Sequence, residues 1–370
     1  MISVRKNFSP FVVSLICLSA LCVIGPMSSQ FEAEAQSHNP SVWRGTIIDA
    51  HSQFGCEISA AEISAIIGRH GVAHTLLSAR GCYREDPLES QLRVLKLVAD
   101  LKGLASFLIS TKLADMGLAG GYSAARGLEA LFRADETYFG KAVGFAEILV
   151  QHAPHDTPNL RYEGLSLDLE SNRIKKSIAL ALGRKVPVIL HLELNDFEDQ
   201  SAKILGQLKD LLDRNPDGDF VLIHMAQSSV SEARELIENY KNIHFLTTAA
   251  DAIAAAGIET LRRKKHTAQV GWINMFNDPP KGAPYRGWLA DYLPTLKWRD
   301  EWKRLIEAHP DRFIFAMDNV FGSQWKKVYG LRLKIWRKAL SQLSEETARK
   351  VGCANAQRLW KINVECKACR

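Results

Sequence analysis

Eight short apolar runs alternate with longer segments whose apolar residues recur at helical spacing, and this alternation constrains the fold more than any other feature. Runs of this kind read as strands buried on both faces, and helices between them act as crossovers, which calls for a parallel sheet. The strands are expected near Thr46–Ala50, Val72–Ser78, Gly103–Ile109, Ala142–Ile148, Val186–His191, Phe220–His224, Ile243–Thr247 and Phe313–Met317. Helices are expected over Ala60–Arg69, Leu88–Leu101, Ile174–Leu182, Ser201–Leu212 and Val230–Tyr240. A doubly wound sheet usually has fewer strands, so the expected class is α/β, a closed (β/α)8 TIM barrel. Two spans exceed ordinary loop length: His152–Glu170 after the fourth strand, and a long insertion, Ala249–Asp311, between strands seven and eight. The second carries Trp272, Trp288, Trp298 and Trp302, which suit either a wall or lid at the barrel mouth or plain helical decoration.

Ahead of the barrel, Arg5 and Lys6 precede an apolar run from Phe11 to Ile24, and Ala33-Glu34-Ala35 supplies small residues for a signal peptidase. The run is shorter than the ~20 apolar residues that span a bilayer. Residues 1–35 are therefore expected to be a signal peptide cleaved after Ala35, giving a periplasmic or secreted product with no stable membrane insertion. Residues 36–45 then form a polar lead-in, 46–361 the barrel and 362–370 a cysteine-containing tail. Cleavage removes Arg5, Lys6, Glu32 and Glu34 together, so the net charge stays at +6. That mild basicity, without an aromatic-interleaved basic stripe, argues against a nucleic-acid partner; Arg262-Arg263-Lys264-Lys265 reads as a solvated helix end. Of seven cysteines, Cys17 and Cys22 leave with the leader. Cys56 and Cys82 follow neighbouring strands and are placed to bridge, while Cys366 and Cys369 either pair together or one of them pairs with Cys353. Gly117-Leu118-Ala119-Gly120-Gly121 lacks the continuation of a phosphate-binding loop and reads as an ordinary loop.

The chemistry-bearing residues fall at strand ends. In a barrel of this kind the loops after the strands form the one open mouth, so polar residues there converge. The first strand continues into His51-Ser52-Gln53, with His51 and Gln53 expected on one side by alternation. Glu147 closes the fourth strand, His191 the fifth, His224 the sixth and Asp318 the eighth. A lone histidine at a strand end is more often a hydrogen-bonded structural residue than a ligand. Several in register with carboxylates are the donor set of zinc and related ions, in a site that leaves a position open for water.

The segment Ile48-Asp49-Ala50-His51-Ser52-Gln53-Phe54-Gly55 resembles the opening strand of the amidohydrolase superfamily, particularly its amidohydrolase-2 branch. The likeness continues through the His191 and His224 strands, through Arg312–Asp318, and into Gly352–Leu359. The resemblance implies metal held by first-strand and fifth-strand histidines, a sixth-strand histidine nearby and an eighth-strand aspartate beside the water. Those positions are His51, His191, His224 and Asp318. Asp318 is then the proton shuttle, and His224 a second ligand or an oxyanion stabiliser. Glu147 resembles the fourth-strand metal ligand of the TatD-like and phosphotriesterase-like barrels.

One position departs from the pattern: Gln53 stands where the family has a second histidine. Its amide oxygen is a neutral, weaker ligand than imidazole. Three arrangements remain open: a weaker site through His51, Gln53, His191 and Asp318; a site with Glu147 compensating; or a metal-free site. The expected activity is metal-dependent hydrolysis of a C–N or C–O bond in a small molecule (amide, ester or lactone). The expected cofactor is a divalent metal, zinc foremost, with manganese or iron as alternatives. A decarboxylase or other lyase on the same scaffold is the alternative enzyme, and a degenerate barrel acting as a binding protein the alternative outside catalysis. A homo-oligomer is compatible with all of these.

Overall fold

In the computed structural model, eight parallel strands lie in chain order in one sheet. They are β1 (Ile48–Phe54), β2 (His74–Ala79), β3 (Ala105–Ser110), β4 (Ala142–Leu149), β5 (Val188–His191), β6 (Phe220–Leu222), β7 (Ile243–Leu246) and β8 (Phe313–Ile314). The described residues are 42–82, 87–110, 140–153, 155–157, 160–162, 164–251, 273–278 and 288–368. The expected leader and its cleavage point, the Gly117–Gly121 loop, the 262–265 basic run, Trp272 and Cys369 lie outside them. The sheet closes on itself beyond the assigned end of β8. Ala50 N donates to Phe315 O (3.1 Å), Asp318 N to His51 O (2.8 Å) and Gln53 N to Asn319 O (2.9 Å). The fold is thus a TIM barrel, as the alternation predicts.

Two apolar layers hold it. The barrel interior is filled by one or two residues from each strand, among them Ile48, Ala50, Leu76, Leu108, Ala146, Ile189, Val221, Leu246, Ile314 and Ala316. Trp360, Leu359 and Ile362 from the C-terminal helix Asn355–Trp360 belong to the same cluster and fill the end opposite the mouth. Gly144 of β4 makes room for Trp360: a Cβ there would stand 2.7 Å from the indole Nε1 and 3.0 Å from Leu108 Cδ2. The outer layer lies between strands and helices and takes the alternate strand residues, such as Ile47, Leu77, Phe107, Leu190 and Phe245.

Several helices start at serine caps. Ser59 and Glu62 form a reciprocal capping box on α1 (Ala60–Arg69), which buries Ile63 and Ile67. Ser229 and Glu232 do the same for the helix Val230–Asn239. Such a serine contributes about 1 kcal/mol relative to alanine.

Within the long span before β8, the described helices are Trp288–Thr295 and Asp300–Ala308. Trp298 is buried, donates from Nε1 to Ala339 O (2.7 Å) and packs edge-on against Phe276 and Trp336. This part of the span therefore packs on the final helical layer. Trp302 instead walls a cavity of about 500 Å³ with Asn195, Ser228 and Glu301, beside the strand-end loops of β5 and β6. The span after β4 folds into two small antiparallel ribbons, pairing Gln151–His152 with Leu165–Ser166 and His155–Thr157 with Leu160–Tyr162. Both expected kinds of disulfide are present: Cys56 bonds Cys82, and the tail is stapled by Cys353–Cys366.

Candidate metal centre

Simple alternation does not carry all the polar residues into the mouth; irregularities in the strands do. In β1, Ile48 and Ala50 fill the interior, so a regular strand would turn His51 outward. The register with β2 shifts between Asp49 and Ser52, a bulge that places His51 and Gln53 inward and leaves Asp49 and Ser52 outside. In β4, Ala146 is interior and the next residue, Glu147, is also brought to the mouth, by a shift against β5 and a left-handed backbone (φ 50°). His224 and Asp318 likewise have left-handed backbones, φ 53° and 49°. Each such non-glycine residue costs about 1 kcal/mol or more, and strain of this sort concentrates at functional sites. The sixth strand, expected to run to His224, ends at Leu222, and His224 sits in the turn that follows. His191 needs no such irregularity of its own backbone: Ile189 is interior and His191, two residues on, reaches the mouth.

The structure brings together every residue singled out from the sequence. His51 Nε2 lies 2.7 Å from Glu147 Oε1 and 3.4 Å from Asp318 Oδ1. Ligand atoms of these three all lie within 4.8 Å of one another, and the same is true of His191, Glu193 and His224. The two groups adjoin: His191 Nδ1 is 3.7 Å from Glu147 Oε2, and His224 Nε2 is 3.7 Å from Asp318 Oδ2. Gln53 turns its amide nitrogen to both carboxylates, donating to Glu147 Oε1 (2.5 Å) and Asp318 Oδ1 (3.1 Å). In this arrangement it offsets the repulsion between two buried carboxylates; to act as a ligand it would present its oxygen instead.

Three further residues belong to the site. Glu193 accepts from His191 Nε2 at 3.0 Å. His152 stacks on the His191 ring with centroids 4.7 Å apart. Thr248 Oγ1 accepts from His224 N (2.7 Å) and lies 3.0 Å from its Nδ1, so Nε2 is the nitrogen presented to Asp318. A signal for Glu193 was available, since it follows His191 by two residues as Gln53 follows His51. Behind the site, Asp49 accepts from Met317 N (2.9 Å) and Ser52 Oγ (2.7 Å), and Ser52 Oγ accepts from Asn319 Nδ2 (2.9 Å). Arg332 pairs with Asp251 (2.7 Å) and donates to Met317 O (2.5 Å), fixing the backbone next to Asp318.

The electrostatics follow from this crowding. Burial pushes the His51 imidazole down, but Asp318 and Glu147 beside it outweigh burial and lift it to about 9. Burial and the neighbouring His191 charge push His224 down to about 4, which keeps it neutral. Burial acts to raise Asp318 and Glu193, yet their histidine partners hold both carboxyls below the usual range. Asp49, outside the mouth, is pushed up to about 6 by burial despite its hydrogen bonds.

A cluster that draws positive charge so strongly suits a cation. Buried polar atoms in proteins ordinarily have partners. Here His191 Nδ1, which faces Glu147, is buried with no hydrogen-bond partner among the described residues. Imidazole with carboxylate is also the donor set of zinc, manganese and iron, so the residues fit a divalent metal.

The amidohydrolase family model matches residues 117–362, which takes in Glu147, His191, Glu193, His224 and Asp318 and begins after His51 and Gln53. No curated protein matches the chain. Similar solved structures include a probable 2-pyrone-4,6-dicarboxylic acid hydrolase from Acinetobacter baumannii (9% identity, 85% of this chain and 99% of that one, TM-score 0.48). A TatD family hydrolase from Entamoeba histolytica is similar at 12% identity (85% and 97% covered, TM-score 0.47). So is a dihydropyrimidinase from Brevibacillus agri, also at 12% (87% and 71% covered, TM-score 0.46). By the family match over well more than half its length, the chain belongs to the amidohydrolase family and is a hydrolase of that type.

Proposed function

We propose that the protein is an exported hydrolase that uses a divalent metal, zinc foremost, to hydrolyse a C–N or C–O bond of a small amide, ester or lactone. The observation that carries this reading is the cluster of His51, Glu147 and Asp318 at the mouth, with His191 adjoining it through Nδ1, a buried atom with no hydrogen-bond partner among the described residues. These four would hold the ion. When bound, the metal supplies Lewis acidity, lowering the pKa of water and polarising the scissile carbonyl. Asp318, held ionised, takes the proton of the attacking water and returns it to the leaving group. His224 is neutral, its Nδ1 is engaged by Thr248, and it presents Nε2 toward Asp318, where an oxyanion develops. Burial of His51, Glu147 and His191 keeps bulk water from competing for these groups. The two disulfides support export, since such bonds persist in oxidising compartments.

The test is a screen of lactones, cyclic amides and esters with protein recovered from the exported fraction, its intact mass showing whether the chain starts at Gln36. Asp318→Asn is expected to lower kcat by about 10²–10⁴-fold on any substrate found. An unchanged rate in that variant would remove the proton shuttle. Release of carbon dioxide without consumption of water would assign the site to decarboxylation instead.

A further inference from the structure

Glu193 is 1% exposed, and a carboxylate taken out of water to that extent is costly unless both oxygens are used. Both are. Oε1 accepts from His191 Nε2 at 3.0 Å, and Oε2 accepts from the backbone N–H of Ala153. Ala153 follows β4, the strand that brings Glu147 to the mouth, and its neighbour His152 lies flat on the His191 ring. Glu193 therefore spans the ends of β4 and β5. In the neutral ring it fixes which nitrogen of His191 carries the proton, because an acceptor at Nε2 then requires Nε2–H and leaves Nδ1 with its lone pair. Nδ1 is the atom that faces Glu147 Oε2, 3.7 Å away, and it has no hydrogen-bond partner among the described residues.

We propose that Glu193 is a positioning residue of the candidate metal centre: it holds His191 as the Nε2–H tautomer, aims Nδ1 at the ion, and ties the Glu147 and His191 strand ends together. The alternative is that Glu193 is itself a ligand, since one of its oxygens lies within 4.8 Å of a ring nitrogen of both His191 and His224. The geometry favours the first role, because both oxygens already accept hydrogen bonds within the chain, and a carboxylate behind a ligating histidine sets its orientation and basicity. The inference rests on the reading of the site as a metal centre, and it has a readout that survives failure of that reading.

Glu193→Gln keeps the shape and removes the charge. In competition between the protein and a chromogenic chelator for zinc, the variant is expected to bind about 10–100-fold more weakly with unchanged stoichiometry. Unchanged affinity, or loss of one of two bound ions, would overturn the positioning role, the second by making Glu193 a ligand. Independently of zinc, nitrogen-15 NMR of the metal-free wild type, recorded where the His191 ring is neutral, is expected to show the proton on Nε2. A proton on Nδ1 would overturn the proposal even if Glu193→Gln does not fold. A wild type that binds no zinc yet shows the Nε2–H tautomer would refute the metal reading and leave Glu193's hold on His191 standing.

Discussion

At the scale of single residues, Gln53 is where this barrel departs from the motif that its first strand resembles. A second imidazole there would offer a lone pair to an ion; the amide instead donates its hydrogens to Glu147 and Asp318. The ligand set thereby loses one strong donor while the two carboxylates gain a neutral bridge. Gln53→His is expected to tighten zinc binding at least about tenfold, ~1.4 kcal/mol, because imidazole is the better ligand for zinc-like ions. Chelator competition measures it. Equal or weaker binding in the variant would mean that bridging the carboxylates matters more than adding a ligand. His51, Gln53, Glu147, His191, His224 and Asp318 were all legible from their places at strand ends. His152 and Thr248 were not, since each lies just beyond a strand and acts only through a partner brought close by the fold.

At the scale of elements, the strands were legible because burial on both faces makes them continuous apolar runs, and the helices because their apolar residues recur at helical spacing. Strand ends were less so. A bulge at Ala50-His51 and left-handed turns at Glu147, His224 and Asp318 decide which side chains enter the mouth, and no apolar pattern encodes them. These features depend on neighbouring strands, which is why alternation alone would have misdirected His51. The closed end is set by the fit of Trp360 against β4. Gly144→Ala is expected to cost about 1–3 kcal/mol, as overpacking of a filled core does, read as a lower urea midpoint. An unshifted midpoint would show that the indole can move aside.

At the scale of the whole molecule, the eight-strand barrel, closed by the hydrogen bonds between β1 and the chain after β8, gathers residues from six strand ends that lie far apart in sequence. Among the described residues no helix is long and apolar enough to cross a membrane. Two disulfides staple its periphery, one beside the mouth after β1 and β2 and one joining the tail to the final helical layer. What the molecule adds beyond its parts is a buried mouth where imidazoles and carboxylates from separate strand ends adjoin. The most direct test is elemental analysis of the purified protein beside His51→Ala and His191→Ala variants that retain the wild-type fold by circular dichroism. Near-stoichiometric zinc, manganese or iron is expected in the wild type, and its loss in both variants. Protein that stays metal-free after reconstitution, or variants that keep the wild-type metal content, would contradict the reading of the site as a metal centre.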